Sequence, residues 1–261
     1  MIEQPSIKLY TVYYKHFPLV PKASYLVPIQ AGAAIHPRLP MLGDDTGENI
    51  SYLNNYYSEL TAAYWILKNA ERNTDAWGLC HYRRYLIPLV TKYFFKQKSR
   101  YYFKTSQPVL DQLLTDKLYT HLSELLTTAE VIVQKPAAAK REGRKVYTIK
   151  EGYFVDHRRM DWEMTMQVVI EKYPGYAKSI QEFGEEKYMC FNNVMITTWP
   201  IWEEYLNWLF SIFFEVQQRI ILPGKGYNER VFGFLGERLH NLFIFHNGLK
   251  PAYLTLGLFE N

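Results

Sequence analysis

The sequence predicts an α/β fold with a mostly parallel sheet, and three successive segments carry that prediction. Residues 7–14 (IKLYTVYY) are rich in β-branched and aromatic side chains, which is typical of a strand. A polar turn at 43–49 (GDDTGEN) precedes residues 52–73, where apolar side chains recur at helical spacing behind Ser51 as a predicted N-cap. The apolar run 77–80 follows as the next strand. A strand, a loop, a helix and a strand in this order favour parallel pairing.

The rest of the chain continues this alternation. A weaker strand is predicted at 25–35 and a charged loop at 137–153. We expect one domain, with a helical C-terminal portion packed on the sheet. Further strands are predicted at 130–136 and 187–200, and further helices at 109–129, 160–174, 201–220 and 226–247.

The composition favours a globular protein of the cytoplasm. The 261 residues carry a formal net charge of +4, which is too small to predict nucleic-acid binding. Cys80 and Cys190 lie far apart in apolar runs, so two buried thiols are predicted rather than a disulfide. The start of the chain lacks the pattern of a signal peptide, and no apolar run approaches the ~18 residues of a membrane span. We therefore expect a cytoplasmic location.

A cluster of cations and aromatic residues follows the strand at 77–80. His81, Tyr82, Arg83 and Arg84 stand at its carboxyl end, which is the edge where open α/β sheets bind ligands. Guanidinium groups bind phosphate bidentately and keep their charge. The arginine pair and the histidine therefore predict a diphosphate site. The alternative is a surface salt-bridge cluster, because consecutive side chains of a strand point to opposite faces and one arginine would then point away from a ligand at the other.

Polar residues near the predicted turn are further candidates. Asp44 and Asp45 suit a ribose or sugar hydroxyl, a metal ion or the role of a base, and Asn49 suits a ligand contact. The alternative is an Asx turn followed by a helix cap. Glu59 lies among apolar residues of the predicted helix, so a buried carboxylate there needs a partner. We expect one of the two arginines to provide it.

The second half of the chain holds two more candidate groups. His157 and Asp161, with Asp156 nearby, surround a predicted helix start and suit acid/base work or sugar hydroxyls. The alternative is capping of the helix by an acid. Asn192 and Asn193 interrupt an apolar strand, and their amides need partners. A sugar contact or a structural bulge would supply them.

Charged residues of the last predicted helix form another group. Glu229 and Glu237 are eight residues apart, about two helical turns, and can share one face. One suits a general base and the other a partner for Arg230 or Arg238. Solvated charge pairs are the alternative.

The stretch 92–104 interleaves basic and aromatic residues. This pattern suits a membrane interface, a lipid-linked acceptor or a single-stranded nucleic acid, and it also suits a half-buried element with snorkelling lysines. The basic residues here and at 140–145 are few, and no recognition module accompanies them, so no nucleic-acid partner is predicted. The basic residues of the stretch 92–104 are Lys92, Lys96, Lys98, Arg100 and Lys104.

Several segments together resemble a bacterial family of capsular and exopolysaccharide biosynthesis proteins, long labelled a domain of unknown function and treated as glycosyltransferase-like. They are YLVPIQAGAAI, GDDTGENISYLNNYYSELTAAYWILKN, WGLCHYRRYL, MCFNNVMI and YNERVFGFLGERL, and they extend over nearly the whole chain. The chain departs from the family after the first strand, where relatives commonly carry His-Lys and this sequence has Tyr14-Lys15.

The resemblance implies a GT-A-like fold, and some relatives that resemble galactofuranosyltransferases imply UDP-galactofuranose as donor. Many nucleotide-sugar transferases hold a divalent metal with Asp-x-Asp where this chain has His81-Tyr82-Arg83. Because cations can neutralise a diphosphate directly, we predict metal independence, with Mn²⁺ or Mg²⁺ as the alternative. The family positions carried over are Asp44, Asp45, Gly47, Asn49, Ser51, Asn54, Glu59, His81, Arg83, Arg84, Asn192, Glu237 and Arg238.

The sequence thus predicts a glycosyltransferase that moves a sugar from UDP-hexose or UDP-galactofuranose to a surface polysaccharide or lipid-linked glycan, with peripheral contact to the inner membrane face. The alternative is a non-catalytic carbohydrate- or nucleotide-binding protein of the same pathway. A nucleotide-sugar half is expected at about 1–135 and an acceptor half at about 136–261. The predicted catalytic residues are Asp161, Glu237 and His157. The predicted substrate-binding residues are Asp44, Asp45, Asn49, Asn54, Glu59, His81, Arg83, Arg84, Asn192, Asn193 and Arg238.

Overall fold

The computed structural model describes residues 4–92, 96–138 and 145–260. Within them the strands β1 to β13 are Ile7–Tyr13, Leu26–Gln30, Leu42–Gly43, Ala76–His81, Arg84–Ile87, Thr91–Lys92, Lys96–Gln97, Arg100–Lys104, Val131–Gln134, Ala137–Ala138, Tyr188–Met189, Met195–Thr198 and Pro251–Glu260. The helices α1 to α9 are Asn54–Tyr57, Leu60–Asn69, Gln107–Leu113, Asp116–Leu126, Ile149–Asp156, Arg159–Lys172, Ala177–Glu185, Trp199–Arg219 and Val231–His246. Segments of 3₁₀ helix lie at Ser51–Leu53, Pro174–Tyr176 and Tyr227–Arg230.

The amino-terminal part of the sheet is parallel, as predicted. Strand β1 lies between β2 and β4, with Tyr10 opposite both Val27 and Leu79, and β3 pairs with β2. Leu9 enters the core beneath α3 and α4, whereas its neighbour Tyr10 enters the core beneath α2, α8 and α9. Helices therefore cover both faces, which explains why β1 is apolar at almost every position.

The remainder of the sheet is mixed, with β13 parallel to β8 and β9 but antiparallel to β5, so parallel pairing is confirmed for the amino-terminal strands and not for the whole sheet. Strand β5 returns antiparallel to β4 after Tyr82 and Arg83, because a link of two residues cannot make the crossover that a parallel partner requires. Strand β12 is antiparallel to both β4 and β9. The order along the sheet is β12-β9-β13-β5-β4-β1-β2-β3, with β8 paired to β13.

The described chain ends in a strand, which corrects the expectation of a helical C-terminal portion. Helices α8 and α9 confirm the two predicted helices, but β13 follows them and pairs with β5, β8 and β9. The buried Leu254, Leu256 and Leu258 alternate with Thr255 and Gly257. This period of two is a strand signal, and the sequence reasoning overlooked it.

The predicted helix at 52–73 is divided. It breaks between α1 and α2 at Ser58, whose φ of 52° lies in the left-handed region. Ser51 was expected to cap this helix, but its hydroxyl donates to Asp44 and accepts a hydrogen bond from the Ala34 N–H. A serine before an apolar run predicts a cap, and here a buried carboxylate binds that hydroxyl instead.

The predicted charged loop at 137–153 contains the start of a helix. Thr148 and Glu151 form a reciprocal capping box at the beginning of α5, which the sequence TIKE signals. Residues 139–144 of this loop, including most of the basic segment at 140–145, lie outside the described ranges.

Aromatic packing fixes the longest helix to the centre of the sheet. Trp77 of β4 stacks on Trp202 of α8 with ring centres 4.1 Å apart, and the Trp202 indole donates to the Trp77 carbonyl at 2.6 Å. Cys80 and Cys190 are free, buried thiols, as predicted. Across the described ranges, no helix is both long and apolar enough to cross a membrane.

We expect Gly78→Ala to lower the free energy of unfolding by about 1–3 kcal/mol. A Cβ at Gly78 would stand 2.6 Å from Ile196 Cγ1 and 2.9 Å from the Met195 carbonyl oxygen, so β4 and β12 would have to separate. Urea denaturation followed by tryptophan fluorescence measures the change. Gly224→Ala is the matched control, because its Cβ would have no described atom within 4 Å. Equal losses in the two variants would contradict this packing.

Candidate active site

A cleft of about 290 Å³ lies at the carboxyl ends of β1 and β4, the edge where the sequence predicts a site. This volume is close to the lower limit of ~300 Å³ for small-molecule pockets. Residues from both predicted halves of the chain line it, so the division near residue 135 does not separate one site from another. Its walls come from β1 with Tyr14, and from residues within 31–36, 54–59, 81–84 and 226–237.

Arg83 and Arg84 both line the cleft. The hairpin turn places Arg83 between β4 and β5, so the strand alternation that would have turned one arginine away does not apply. Neither guanidinium forms an ion pair within the described part of the chain, and the Nε of Arg84 is buried without a partner. The lack of ion pairs at both arginines disfavours a surface salt-bridge cluster. It leaves guanidinium donors available to an anion.

His81 contributes hydrogen bonding to this edge, not charge. Burial, and next the neighbouring Arg84, lowers the pKa of His81 to about 3. Its Nδ1 lies 3.4 Å from Arg84 Nη1, and its Nε2 lies 3.9 Å from Glu59 Oε1 without a hydrogen bond. The imidazole is therefore neutral at neutral pH. In the cleft without ligand the positive charge therefore comes from Arg83, Arg84 and Arg230, and His81 offers hydrogen bonds.

Glu59 lines the cleft just before α2. Its Oε1 accepts a hydrogen bond from the Asn193 side-chain amide at 2.7 Å. The predicted partner was one of the arginines. Arg84 is close enough for the Glu59 charge to raise its pKa, although burial lowers that pKa more strongly. The Asn193 amide thus donates a hydrogen bond to Glu59, and the Arg84 guanidinium interacts with Glu59 electrostatically without a hydrogen bond.

Glu237 lines the same cleft from α9, and Glu229 lines it from the 3₁₀ segment before α9, so the two do not share one α-helix as predicted. Its Oε1 accepts from the Asn192 main-chain N–H at 2.9 Å, and its Oε2 accepts from Arg238 Nη1 at 2.9 Å. Burial raises the pKa of Glu237; Arg238 opposes this rise and Glu59 adds to it. A carboxyl group with a raised pKa is suited to proton transfer near neutral pH.

Left-handed backbone gathers beside these carboxylates. Ser58, Asn192 and Asn193, with φ of 52°, 80° and 45°, are the non-glycine residues with positive φ in the described ranges. Asn193 also donates to the Gly233 carbonyl, and Asn192 donates to Gln134 Oε1. The asparagine pair therefore forms a turn that holds the carboxylates and does not itself line the cleft. Such strain is often concentrated at functional sites.

Asp44, Asp45 and Asn49 lie outside the cleft lining, so the structure favours the structural alternative for them. Asp44 is fully buried and accepts from the N–H groups of Gly32 and Ala33. Asp45 pairs with Arg38 at 2.7 Å, and Asn49 forms an Asx turn with Ser51 N–H. The predicted sugar or ribose contact of Asp44 is corrected, because a ligand cannot reach a carboxylate that the loop encloses. Asp44 and Asn49 therefore accept hydrogen bonds from N–H groups of the protein's own backbone.

Two of the three predicted catalytic residues also lie elsewhere. Asp161 is 1% exposed and forms an ion pair with Arg158, so its carboxylate faces a cation and not the cleft. His157 stacks on Phe234 with ring centres 4.1 Å apart and bonds to Asn228. Burial, followed by Arg238, lowers the pKa of His157 to about 4. His157 thus packs behind the cleft wall at Phe234, and Glu237 alone of the three lines the cleft.

His36 and Phe234 are among the lining residues that sequence reasoning missed. His36 lines the cleft, and its Nε2 lies 2.9 Å from Oδ1 of Asn54, a predicted binding residue that also lines it. Phe234 of α9 forms another part of the wall, beneath the Arg230 guanidinium at 5.0 Å. The signal for His36 was available, because it follows β2 at the same carboxyl edge as the arginine pair follows β4.

Two remaining predictions concern metals and basic residues. Within residues 4–92, 96–138 and 145–260, no three His, Cys, Asp or Glu side chains gather as a metal site. In the basic stretch 92–104, Lys98 lies 4.9 Å from the Tyr101 ring centre and Lys104 is exposed. Arg238 is 5% exposed and faces a second cavity.

The fold and the cleft define a class of α/β protein in which guanidinium groups face carboxylates at the carboxyl edge of a mixed sheet. Over residues 8–248 the sequence matches the family described as a domain of unknown function, DUF4422, and the chain belongs to that family. The family resemblance read from the sequence is thereby confirmed. No curated protein matches the chain.

The fold is similar to a solved apo structure of the bifunctional glycosyltransferase WbbM. The TM-score is 0.82 and the sequence identity is 25%. The likeness covers 98% of this chain and 46% of the WbbM chain, so this chain spans less than half the length of that protein. The α/β architecture is therefore that of one part of a glycosyltransferase.

We expect Asn193→Ala to lower the free energy of unfolding by about 0.5–1 kcal/mol more than Asn193→Gly. Both variants lose the hydrogen bonds from the Asn193 side chain to Glu59 and to the Gly233 carbonyl, but alanine also keeps a Cβ at a φ of 45°. The left-handed cost of about 1–2 kcal/mol for an L-residue exceeds the extra unfolded-state entropy of glycine, about 0.5–1 kcal/mol. Urea denaturation of the pair measures the difference. Equal stabilities would contradict the backbone constraint.

Proposed function

We propose that this chain is a glycosyltransferase that uses a nucleotide-sugar donor, and that the cleft is its active site. The observation that carries the proposal is the pairing of Arg83 and Arg84, which lack ion-pair partners in the described chain, with Glu59 and Glu237 in one cleft. The likeness to WbbM supports the same reaction class.

In this proposal the donor diphosphate binds to Arg83 and Arg84. When the bond between the sugar C1 and the diphosphate oxygen breaks, its electron pair leaves with the phosphate. Two guanidinium groups at a largely dehydrated edge stabilise that charge more effectively than solvent does. Neutral His81 orients Arg84 through the 3.4 Å contact between Nδ1 and Nη1. No metal ion takes part in this step.

Glu237 acts as the general base toward the acceptor. As the acceptor hydroxyl oxygen forms its bond to C1, the hydroxyl proton passes to the Glu237 carboxylate. Each oxygen of Glu237 already accepts one hydrogen bond and keeps a second lone pair for this purpose. Glu59 is a positioning residue, because it holds Asn193 and therefore the turn that presents Asn192 N–H to Glu237.

The finer assignment follows the family resemblance. We propose UDP-hexose or UDP-galactofuranose as donor, and a surface polysaccharide or lipid-linked glycan as acceptor. A lipid-linked acceptor would bring the protein to the inner membrane face, where the exposed part of 92–104 suits an anionic surface.

We expect UDP to raise the melting temperature and to do so equally in EDTA and in manganese, because arginines neutralise the diphosphate. A thermal-shift panel of UDP, GDP, CMP and TDP measures this. The UDP shift should disappear in Arg83→Ala and persist in Arg159→Ala, the matched control, whose guanidinium pairs with Glu163 on the exposed face of α6.

A manganese requirement would refute the metal-free mechanism, and no shift with any nucleotide would refute the nucleotide site.

Donor turnover then separates an enzyme from a binding protein. We expect slow release of UDP from UDP-galactose or UDP-galactofuranose in the absence of acceptor. An intact donor in the presence of UDP binding would favour the non-catalytic alternative.

We expect the kcat of transfer to rise with pH through the raised pKa of Glu237. The base works only when deprotonated, so a raised pKa moves the acid limb of the profile above the ordinary glutamate value of ~4.3. Glu237→Gln keeps the side-chain shape and should lower kcat about 10²–10⁴-fold and abolish this limb. The profile is measured by UDP release at saturating donor.

Glu229→Gln is the matched control, because Glu229 also lines the cleft but lies in the 3₁₀ segment before α9. It should lose less than about tenfold in kcat and keep the acid limb. The reverse pattern, with the limb lost in Glu229→Gln, would assign the base to Glu229 and overturn the role of Glu237.

A further inference from the structure

A second cavity of about 260 Å³ adjoins the opposite end of the Glu237–Arg238 pair. These consecutive residues of α9 divide between the two cavities, since Glu237 lines the cleft and Arg238 lines the second cavity. Its lining also includes Arg100 of β8, Tyr147, Asp156 of α5, Met189 and Phe191.

Both arginines of this cavity present unpartnered donors. The Nε atoms of Arg100 and Arg238 are buried and bond to no described residue. Arg238 is 5% exposed, and its hydrogen bonds run from Nη1 to Glu237 and to the Phe234 carbonyl. The Arg100 side chain forms no hydrogen bond or ion pair with a described residue, so its guanidinium is available to an anionic ligand in the cavity.

Aromatic rings hold both guanidinium groups in place. Arg100 lies 5.5 Å from the Phe191 ring centre, and Arg238 lies 5.2 Å from the Tyr153 ring centre. These cation–π contacts restrict both guanidinium groups. Arg100 keeps its N–H groups without a described partner and Arg238 keeps its Nη2, so together they suit the oxygens of a carboxylate or a phosphate.

We propose that this cavity binds the acidic group of a sugar, with the carboxylate or phosphate between Arg100 and Arg238. The volume lies below the ~300–1,000 Å³ of larger ligand sites, so it suits one monosaccharide unit. The rings of Tyr147 and Phe191 provide the apolar surface that a sugar face contacts. Asp156 also lines the cavity, which leaves the lining with more positive than negative side chains.

The role of this ligand rests on the proposed function, although the anion site itself does not. In a glycosyltransferase whose base is Glu237, the cavity behind the base takes a unit of the acceptor. The acceptor is then an anionic glycan. Its acidic unit binds at Arg238, one residue along the helix from the group that removes the hydroxyl proton.

Isothermal titration calorimetry of the full chain with glucuronate, glucose 6-phosphate and glucose tests the site. We expect the acidic sugars to bind and glucose to bind at least about tenfold more weakly, because charge-assisted hydrogen bonds supply the affinity. The acidic sugar that binds with the lower Kd shows whether the site prefers a carboxylate or a phosphate. Equal binding of glucose, or no binding of either acidic sugar, would overturn the proposal.

Arg100→Gln should weaken the binding of acidic sugars at least about tenfold, and Arg100→Lys should give an intermediate value because it keeps charge without the fork. Lys104→Gln is the matched control, since it removes an exposed cation from the same strand. Unchanged affinity in Arg100→Gln would overturn the site. Arg83→Ala should retain this binding while losing UDP, so failure of the nucleotide site and failure of the sugar site give different results.

Discussion

The burial of two carboxylates beside one cleft is the constraint on which the other features depend. A dehydrated carboxylate is stable when it is hydrogen-bonded or faces a cation. Asn193 supplies the hydrogen bond to Glu59, and the main-chain N–H of Asn192 supplies one to Glu237. Both donors come from one turn, which needs left-handed backbone at two successive residues. Asparagine tolerates that conformation better than most side chains, which accounts for the residue type at both positions.

The same constraint explains why distant parts of the chain meet at this edge. The hairpin between β4 and β5 places cations at the end of β4, and the turn before β12 places the asparagines beside them. Strand β12 pairs with β4, while β13 pairs with β5, so the carboxyl-terminal strand fixes the second arm of the hairpin. The antiparallel pairings of β4 with β5 and β12 thus bring the hairpin and the asparagine turn to the same edge.

The sequence predicts the parts of this site that depend on local pattern. Arg83 and Arg84 follow an apolar strand, so their placement at its carboxyl end was predictable. Asp44 shows the limit of such reasoning, because GDDTGEN reads alike whether its carboxylates face a ligand or the N–H groups of the segment after β2. The left-handed Ser58 that divides the first helix also has no local signal, since it depends on packing against α9.

Adjacent side chains on α9 couple the two cavities. Residues one apart on a helix point about 100° from each other, so Glu237 and Arg238 reach different cavities while remaining bonded at 2.9 Å. Arg238 lowers the pKa of Glu237 against the larger effect of burial. An anion bound to Arg238 would offset its charge and raise that pKa further, which would make the carboxylate a stronger base once it is deprotonated. The charge state of the second cavity and the pKa of Glu237 are thus linked through the Arg238 guanidinium.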